Sequence, residues 1–318
     1  MLDKGTTIFL AGHRGTVGAA LLRRLQSDGF SNIVLRSRED TDLEDRDAVN
    51  RLFAETSPQY VIIAAAKVGG IAANIAAPVD FLLQNLEIQN NLLLACRRHG
   101  VRKTVFLGSS CIYPRDAPQP MDEDAFMHGP LEPTNESYAV AKIAGIRLAH
   151  ALRQQYGTNV ILPMPSNVYG PGDHFEFERS HVVSAPVRRF CEAVDLGSHT
   201  ITLWGTGSAR RELLHVDDLA DAIVFLLARY DDPAIINVGT GEDVTIRELA
   251  MLIAHLTGFS GQIEWDISKP NGMPQKLMSV ERLHNLGWRH QVSLEDGLRT
   301  VIADYRARFP QAVGVGHE

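Results

Sequence analysis

Three side chains of this sequence could together deliver a proton to a carbonyl oxygen. Tyr138 and Lys142 lie four residues apart in Ser137-Tyr138-Ala139-Val140-Ala141-Lys142, the spacing that puts two side chains on one helix face. An ammonium beside a phenol favours the phenolate. The pair therefore predicts a tyrosine whose pKa is lowered by its lysine and which protonates a ketone as hydride reaches the carbon. Such a pair is common on helix surfaces and gains meaning from Ser109, which closes the run Phe106-Leu107-Gly108-Ser109-Ser110. A hydroxyl at a strand's end can donate to the same oxygen.

These residues need a scaffold, and the hydrophobic pattern supplies one. Short apolar runs at 7–11, 33–36, 60–64, 104–108 and 159–163 alternate with helical patterns at 17–28, 45–55, 79–99 and 137–156. Strands alternating with helices predict βαβ units and a Rossmann-type α/β fold, a doubly wound parallel sheet. Ligands of such sheets bind beyond the carboxyl ends of the strands, where Ser109 falls. The first run leads into Gly12-His13-Arg14-Gly15-Thr16-Val17-Gly18 and then a helix. Glycines so spaced between a strand and a helix allow a tight turn, close approach of backbone to a pyrophosphate and close helix–strand packing, so residues 12–18 are read as a dinucleotide cradle. The second run ends in Leu35-Arg36-Ser37-Arg38. An acid there would bind the ribose diol of NAD; Arg36 and Arg38, with Arg14, suit the 2′-phosphate of NADP. Glu39 and Asp40 follow closely and leave NAD open.

After about Val168 the alternation breaks at Gly170-Pro171-Gly172, a loop signal. Helices at 182–194, 216–228, 246–256 and 294–306 mix with strands at 201–204, 235–238 and 262–265. This predicts a dinucleotide-binding domain over 1–168 and a smaller mixed α/β, mainly substrate-binding part over 169–318, with about 215–240 returning to the first and strand 235–238 rejoining its sheet. The chain of 318 residues carries a net charge of −7, which offers no basic footprint for nucleic acid. No window reaches the roughly 18–20 apolar residues of a membrane helix. Three cysteines, Cys96, Cys111 and Cys191, form no disulfide framework and fit a reducing cytoplasm. Asp217 and Asp218 lack partners at metal-ligand spacing.

The glycine turn, strand-end Ser109, Tyr138 and Lys142 together resemble the extended short-chain dehydrogenase/reductase family, which acts on nucleotide sugars. Sugar dehydratases of that family carry acids just after the serine, whereas here Cys111 stands two residues beyond it. A thiol beside a bound ketone can act as a base on the neighbouring carbons; for a sugar 4-ketone these are C3 and C5. Inversion needs a second group to return the proton on the opposite face. The segments 64–70, Gly108–Pro114, Glu132-Pro133-Thr134-Asn135-Glu136 and Lys142-Ile143-Ala144-Gly145-Ile146 resemble the branch of GDP-L-fucose synthases, the GDP-4-keto-6-deoxy-D-mannose 3,5-epimerase/4-reductases. That resemblance implies NADPH as cofactor, Cys111 as epimerisation base and His181 as its acid, while Cys96 and Cys191 are read as buried structural thiols. It implies cofactor contacts at Ala65, Lys67, Leu107, Gly108, Ser109, Ser110, Lys142, Pro165, Ser166, Asn167, Val168 and His181. It places the GDP-sugar against Arg189, Trp204, Arg211, Asn271 and Lys276. It also implies a homodimer seamed along the helices at 79–99 and 137–156.

One departure stands out. The family commonly has Lys-Pro-Asp-Gly where this chain has Lys269-Pro270-Asn271-Gly272. If that acid touches substrate, a related GDP-ketosugar, such as a dideoxy sugar or a heptose, becomes an alternative. So does 4-ketoreduction without epimerisation. A further alternative, of another class, is an inactive NADP-binding scaffold; the intact Ser109, Tyr138 and Lys142 argue against it.

Overall fold

Four-residue runs with every side chain buried can only be strands covered on both faces. β1 (Ile8–Ala11) and β4 (Lys103–Phe106) are of this kind in a computed structural model that describes residues 3–175, 182–269 and 271–310. In chain order the first half runs β1, α1 (Thr16–Ser27), β2 (Ile33–Val34), α2 (Arg46–Thr56), β3 (Tyr60–Ile63), α3 (Ile71–Ala76), α4 (Pro78–Arg98), β4, α5 (Glu136–Tyr156) and β5 (Val160–Pro165). The second half runs β6 (Asn167–Tyr169), α6 (Ser184–Asp195), β7 (Thr200–Trp204), β8 (Arg210–His215), α7 (Val216–Arg229), β9 (Ile235–Val238), β10 (Asp243–Thr245), α8 (Ile246–Thr257), β11 (Gln262–Asp266), β12 (Gln275–Lys276), α9 (Glu281–Asn285) and α10 (Leu294–Arg308).

The main sheet is the parallel, doubly wound one expected, in the order β2-β1-β3-β4-β5-β9. The winding reverses between β1 and β3, and the crevice at that switch point lies at the carboxyl ends of both strands. Helices α1 and α7, joined by Leu283 and Trp288, cover one face. Helices α2, α4 and α5 cover the other. Strand β9 lies beside β5, with Leu162 opposite Ile235 and Pro165 opposite Val238. β2 stops at Val34 rather than at Arg36: the Asp40 carboxylate accepts from the Ser37 N–H at 3.0 Å and its hydroxyl at 2.8 Å, which turns the chain.

A third core gathers Val187, Phe190, Leu203, Ile253 and Leu298 from α6, β7, α8 and α10. β7 pairs with β11 in parallel beside it. Between this core and the main sheet runs β8, which pairs with β6, β10 and β12. Those four strands, with α3 and α9, have no counterpart in the sequence reading. All but β8 are too short for periodicity to register, and Arg210-Arg211-Glu212 opens β8 with three charged residues.

Candidate active site

The crevice is floored by the glycine turn. Gly12 has φ +88°, and a Cβ there would lie 2.6 Å from the Ala65 nitrogen at the end of β3. A Cβ on Gly18 would lie 2.0 Å from the Gly12 carbonyl oxygen. The packing of turn, helix and strand therefore demands these two glycines. Gly15 differs: its φ is −77°, and a Cβ would meet only the Gly12 oxygen at an ordinary 3.6 Å. Nothing in the protein needs Gly15 to be small, so the space above it suits a ligand. Gly15 caps α1 without a side-chain hydrogen bond, and the first turn holds no acid. The leading N–H groups of Thr16, Val17 and Gly18 thus face the crevice with the positive end of the helix dipole, the arrangement that binds phosphate. His13 sits beside them with a buried, unpartnered Nδ1, its pKa pushed down by burial and by Arg14.

At the end of β2, Arg14 pairs with Glu39 at 3.1 Å and Arg38 with Glu44 at 2.7 Å, and both arginines are about two-thirds exposed. Arg36 donates to the Leu35 carbonyl at 2.9 Å. The Asp40 carboxylate is already occupied by Ser37. Both acids that kept NAD open are thus engaged within the protein, while three guanidiniums stand at the rim. Surface pairs of this kind contribute at most about 1 kcal/mol, so a phosphate dianion can displace them. These features fit a dinucleotide bearing a 2′-phosphate.

Ser109 follows β4 and caps a single 3-10 turn over Ser110–Ile112, its hydroxyl accepting the Cys111 N–H at 3.2 Å. That turn sets the thiol beside the hydroxyl. Gly108 packs so closely on β5 that a Cβ would lie 2.2 Å from the Met164 sulfur. Tyr138 enters on the first turn of α5, and Lys142, one turn on, is buried. Its ammonium donates to the Leu107 carbonyl at 2.9 Å and lies 5.9 Å from the Tyr138 ring centre. Burial pushes the Lys142 pKa down to about 8. Here the expected electrostatics needs correction. Burial raises the Tyr138 pKa, negative charge on Cys111 raises it further, and only the hydrogen bond with Ser109 opposes them. Lys142 spends its charge on a backbone carbonyl and so does not pull the phenol down. Burial thus holds the Tyr138 phenol above its ordinary pKa.

The other side of the thiol is lined by residues whose part the sequence reading did not see. Asn135 donates from Nδ2 to the Cys111 sulfur at 3.1 Å, and the Lys276 ammonium donates to it at 3.5 Å. Asn135 lay inside a recognised segment but carried no role there; Lys276 was read as a substrate contact. Lys276 pairs in register with Arg211 across β12 and β8. Arg211 is tied to the carbonyls of Arg210 and Met273 at 2.7 Å and Asn271 at 3.4 Å, with no carboxylate beside it among the described residues; burial lowers its pKa. From there the lining continues through Asn271 to the turn after β7, where Trp204 is half exposed with Lys269 at 5.6 Å from its ring centre. Arg189 reaches the same strand, donating to the Thr202 carbonyl at 3.1 Å.

Three assigned contacts have side chains engaged within the protein. The Asn271 side-chain oxygen accepts from the Thr206 N–H at 2.8 Å and its hydroxyl at 3.1 Å, so it braces a turn instead of facing a ligand. Asn167 donates to the Glu212 carbonyl at 2.8 Å. Lys67 pairs with Asp80 at 2.8 Å. Ser166 is buried after β5 with an unpartnered hydroxyl, next to Pro165 and near Val168 in β6. His181 lies outside the described residues. Among those residues no group of three or more His, Cys, Asp or Glu could hold a metal.

A doubly wound sheet with a phosphate cradle at its switch point, and a Ser–Tyr–Lys set beyond the adjoining strand, defines a class of dinucleotide-dependent enzymes. The chain belongs to the NAD dependent epimerase/dehydratase family, whose model matches residues 8–239. Within that family it is 53% identical over 298 residues to GDP-L-fucose synthase 1 of Arabidopsis thaliana, covering 94% of this chain and 92% of the relative. It is 48% identical to GDP-L-fucose synthase of Escherichia coli K12, covering 92% of this chain and 94% of that one. Among solved structures, a GDP-mannoheptose C4 reductase from Campylobacter jejuni with NADP bound superposes with a TM-score of 0.88 at 35% identity, covering 96% of this chain and all of the other.

Proposed function

We propose that this chain converts GDP-4-keto-6-deoxy-D-mannose to GDP-L-fucose, as a 3,5-epimerase and NADPH-dependent 4-reductase. The observation that carries this reading is the Cys111 thiol, one short turn from Ser109, whose hydroxyl accepts the Cys111 backbone N–H. A plain ketoreductase has no use for a base there. The Arabidopsis and Escherichia coli fucose synthases are 53% and 48% identical to this chain, against 35% for the heptose reductase. The Asn271 departure weighs little for another sugar, since the side-chain oxygen at that position braces the protein.

In this reading Trp204 stacks against the GDP portion, Arg211 and Arg189 neutralise its diphosphate, and the ketosugar reaches Cys111. The sulfur takes the proton from C3 or C5, and the electron pair moves onto O4, where Ser109 and Tyr138 donate hydrogen bonds to the enolate. His181, assigned through the family resemblance, returns a proton on the opposite face. The cradle and Arg14, Arg36 and Arg38 would hold NADPH by its pyrophosphate and 2′-phosphate, and the cofactor would supply the hydride for C4. Tyr138 then gives its proton to O4, and Lys142 orients the ribose. With its pKa raised, Tyr138 keeps the proton it must give and gives it as a weaker acid, so the oxygen it protonates must be the more basic alkoxide forming at C4.

The test is incubation with GDP-4-keto-6-deoxy-D-mannose in D2O. Without NADPH, deuterium should enter C3 and C5; with NADPH, NMR should show GDP-L-fucose. NADPH oxidation with unlabelled C3 and C5 would leave reduction without epimerisation. No ketone-dependent oxidation at all would leave a scaffold.

We further assign the chain to the cytoplasm as a homodimer. No helix among the described residues is long and apolar enough to cross a membrane, and all three cysteines are free thiols. α4 and α5 pack together while leaving Val79, Leu83, Val140 and Tyr156 exposed, which supports a seam between two copies. A monomer mass by sedimentation at micromolar concentration would overturn the dimer.

A further inference from the structure

A base must be ionised before it can work, and the surroundings of Cys111 bear on that directly. Both side chains hydrogen-bonded to its sulfur are nitrogen donors: Nδ2 of Asn135 at 3.1 Å and Nζ of Lys276 at 3.5 Å. An ammonium has no lone pair to accept an S–H, and an amide NH2 does not accept one either. A thiol sulfur accepts such bonds only weakly, so each partner favours the thiolate over the thiol. Asn135 underlines the point. It occupies the N-cap of α5, where asparagine ordinarily accepts a backbone N–H, yet it makes no capping bond and its Oδ1 is buried without a partner. The helix end goes uncapped while the amide is turned to sulfur. Lys276 has no carboxylate partner among the described residues, so its charge is not cancelled before it reaches Cys111.

We propose that Lys276 and Asn135 are positioning residues that hold Cys111 as a thiolate in the free enzyme, with Lys276 supplying the counter-charge. Lys276 is thereby assigned to the base rather than to the diphosphate, which is left to Arg211. β12 exists as two residues pinned on β8, and its consequence is to bring a cation from the far end of the chain to a thiol on the fourth βα connection. The inference deepens the proposed epimerase chemistry, but its central claim concerns the resting enzyme and can fail or hold separately.

The experiment measures iodoacetamide alkylation of Cys111 between pH 6 and 9 in the full-length protein, with Cys111→Ser as blank; Cys96 and Cys191 are buried. Removing the counter-charge lowers the reactive thiolate population, partly offset by higher nucleophilicity of what remains. Lys276→Met should therefore slow alkylation at pH 7 by about three- to thirtyfold and move the profile to higher pH. Lys276→Arg should restore most of the rate, and Asn135→Ala should give a smaller loss in the same direction. Deuterium entry at C3 and C5 should fall in parallel, while GDP affinity by calorimetry stays within about twofold. An unchanged alkylation profile in Lys276→Met overturns the proposal, as does weakened GDP binding with normal alkylation, which would make Lys276 a diphosphate ligand. If the alkylation result holds but the wild type incorporates no deuterium, the thiolate assignment stands and the epimerase reading falls.

Discussion

The three cradle glycines should part company when each receives a methyl group. Gly18→Ala puts a Cβ 2.0 Å from the Gly12 carbonyl oxygen, short of ordinary contact by more than about 1 Å. The obstacle is backbone, so α1 must lift off the turn. Overpacking of this severity costs about 3 kcal/mol, equivalent to roughly 4–5 °C of melting temperature in a chain of this size. Gly15→Ala meets nothing closer than 3.6 Å at a φ of −77°. Its fold should change by less than about 1 kcal/mol, mostly from the weaker N-cap propensity of alanine. Its loss should appear only with cofactor, because the methyl occupies the space through which a pyrophosphate would approach the N–H groups of α1; a tenfold or greater rise in the NADPH Kd, about 1.4 kcal/mol or more, is expected. The assay pairs thermal unfolding of the cofactor-free protein with NADPH titration by fluorescence. A Gly18→Ala protein as stable as wild type would refute the steric reasoning. A Gly15→Ala protein that binds NADPH normally would refute the placement of the pyrophosphate.

Other expectations concern charge. Lys142 titrates near 8 when folded against 10.5 in the unfolded chain, so the unfolded state binds the extra proton between those values and stability should rise with pH across that window. Relative to Lys142→Met, urea unfolding of the wild type should therefore strengthen from pH 8 to 10, by up to about 3 kcal/mol. Glu212 is buried and accepts N–H bonds from Thr240 at 2.7 Å, Gly241 at 2.8 Å and Met278 at 2.9 Å. Glu212→Gln turns an NH2 toward at least one of those donors, and thermal unfolding should report a loss of about 2–4 kcal/mol. Asn271→Asp, which restores the family's usual acid, keeps an acceptor for Thr206; kcat/KM should stay within about twofold, and a larger change would return that position to the substrate pocket.

The legible part of this molecule was the part with length and repetition. Helices of 11 or more residues and buried strands impose their period on the sequence, so the main sheet, its helices and the cradle could be read from one end. Ser109, Cys111, Tyr138 and Lys142 were legible because a strand end and a helix turn fix them locally. What escaped was built from pairs distant in sequence. Lys276 meets Cys111 across 165 residues, through a two-residue strand with no periodic signature. Asn135 sat in a recognised segment without a role of its own, and local propensity could not tell that its amide faces sulfur. The Tyr138–Lys142 spacing was read correctly as shared helix face, but spacing is blind to depth: burial reverses the expected electrostatic outcome. Asn271 was taken for a missing acid because the turn it braces, at Thr206, is 65 residues away.

Strand β8 shows how such a pocket can change its taste without losing its shape. Successive residues of a strand point to opposite faces. Arg210 and Glu212 share one, where they bind Asp243 at 2.7 Å and the backbone of Thr240, Gly241 and Met278. Arg211, between them, is turned to the carbonyls of Met273 and Asn271 on the other. Fastening and recognition are thus written on alternate letters of one word. Replacement of Arg211 frees the carbonyls of Met273 and Asn271 but leaves the ties of Arg210 and Glu212 in place, so this face can vary by single substitutions. Inserting one residue before it would exchange the two faces, driving an arginine into the carboxylate's closed socket and the glutamate toward the phosphates. Descendants of this strand are free to vary in letter and barred from varying in length.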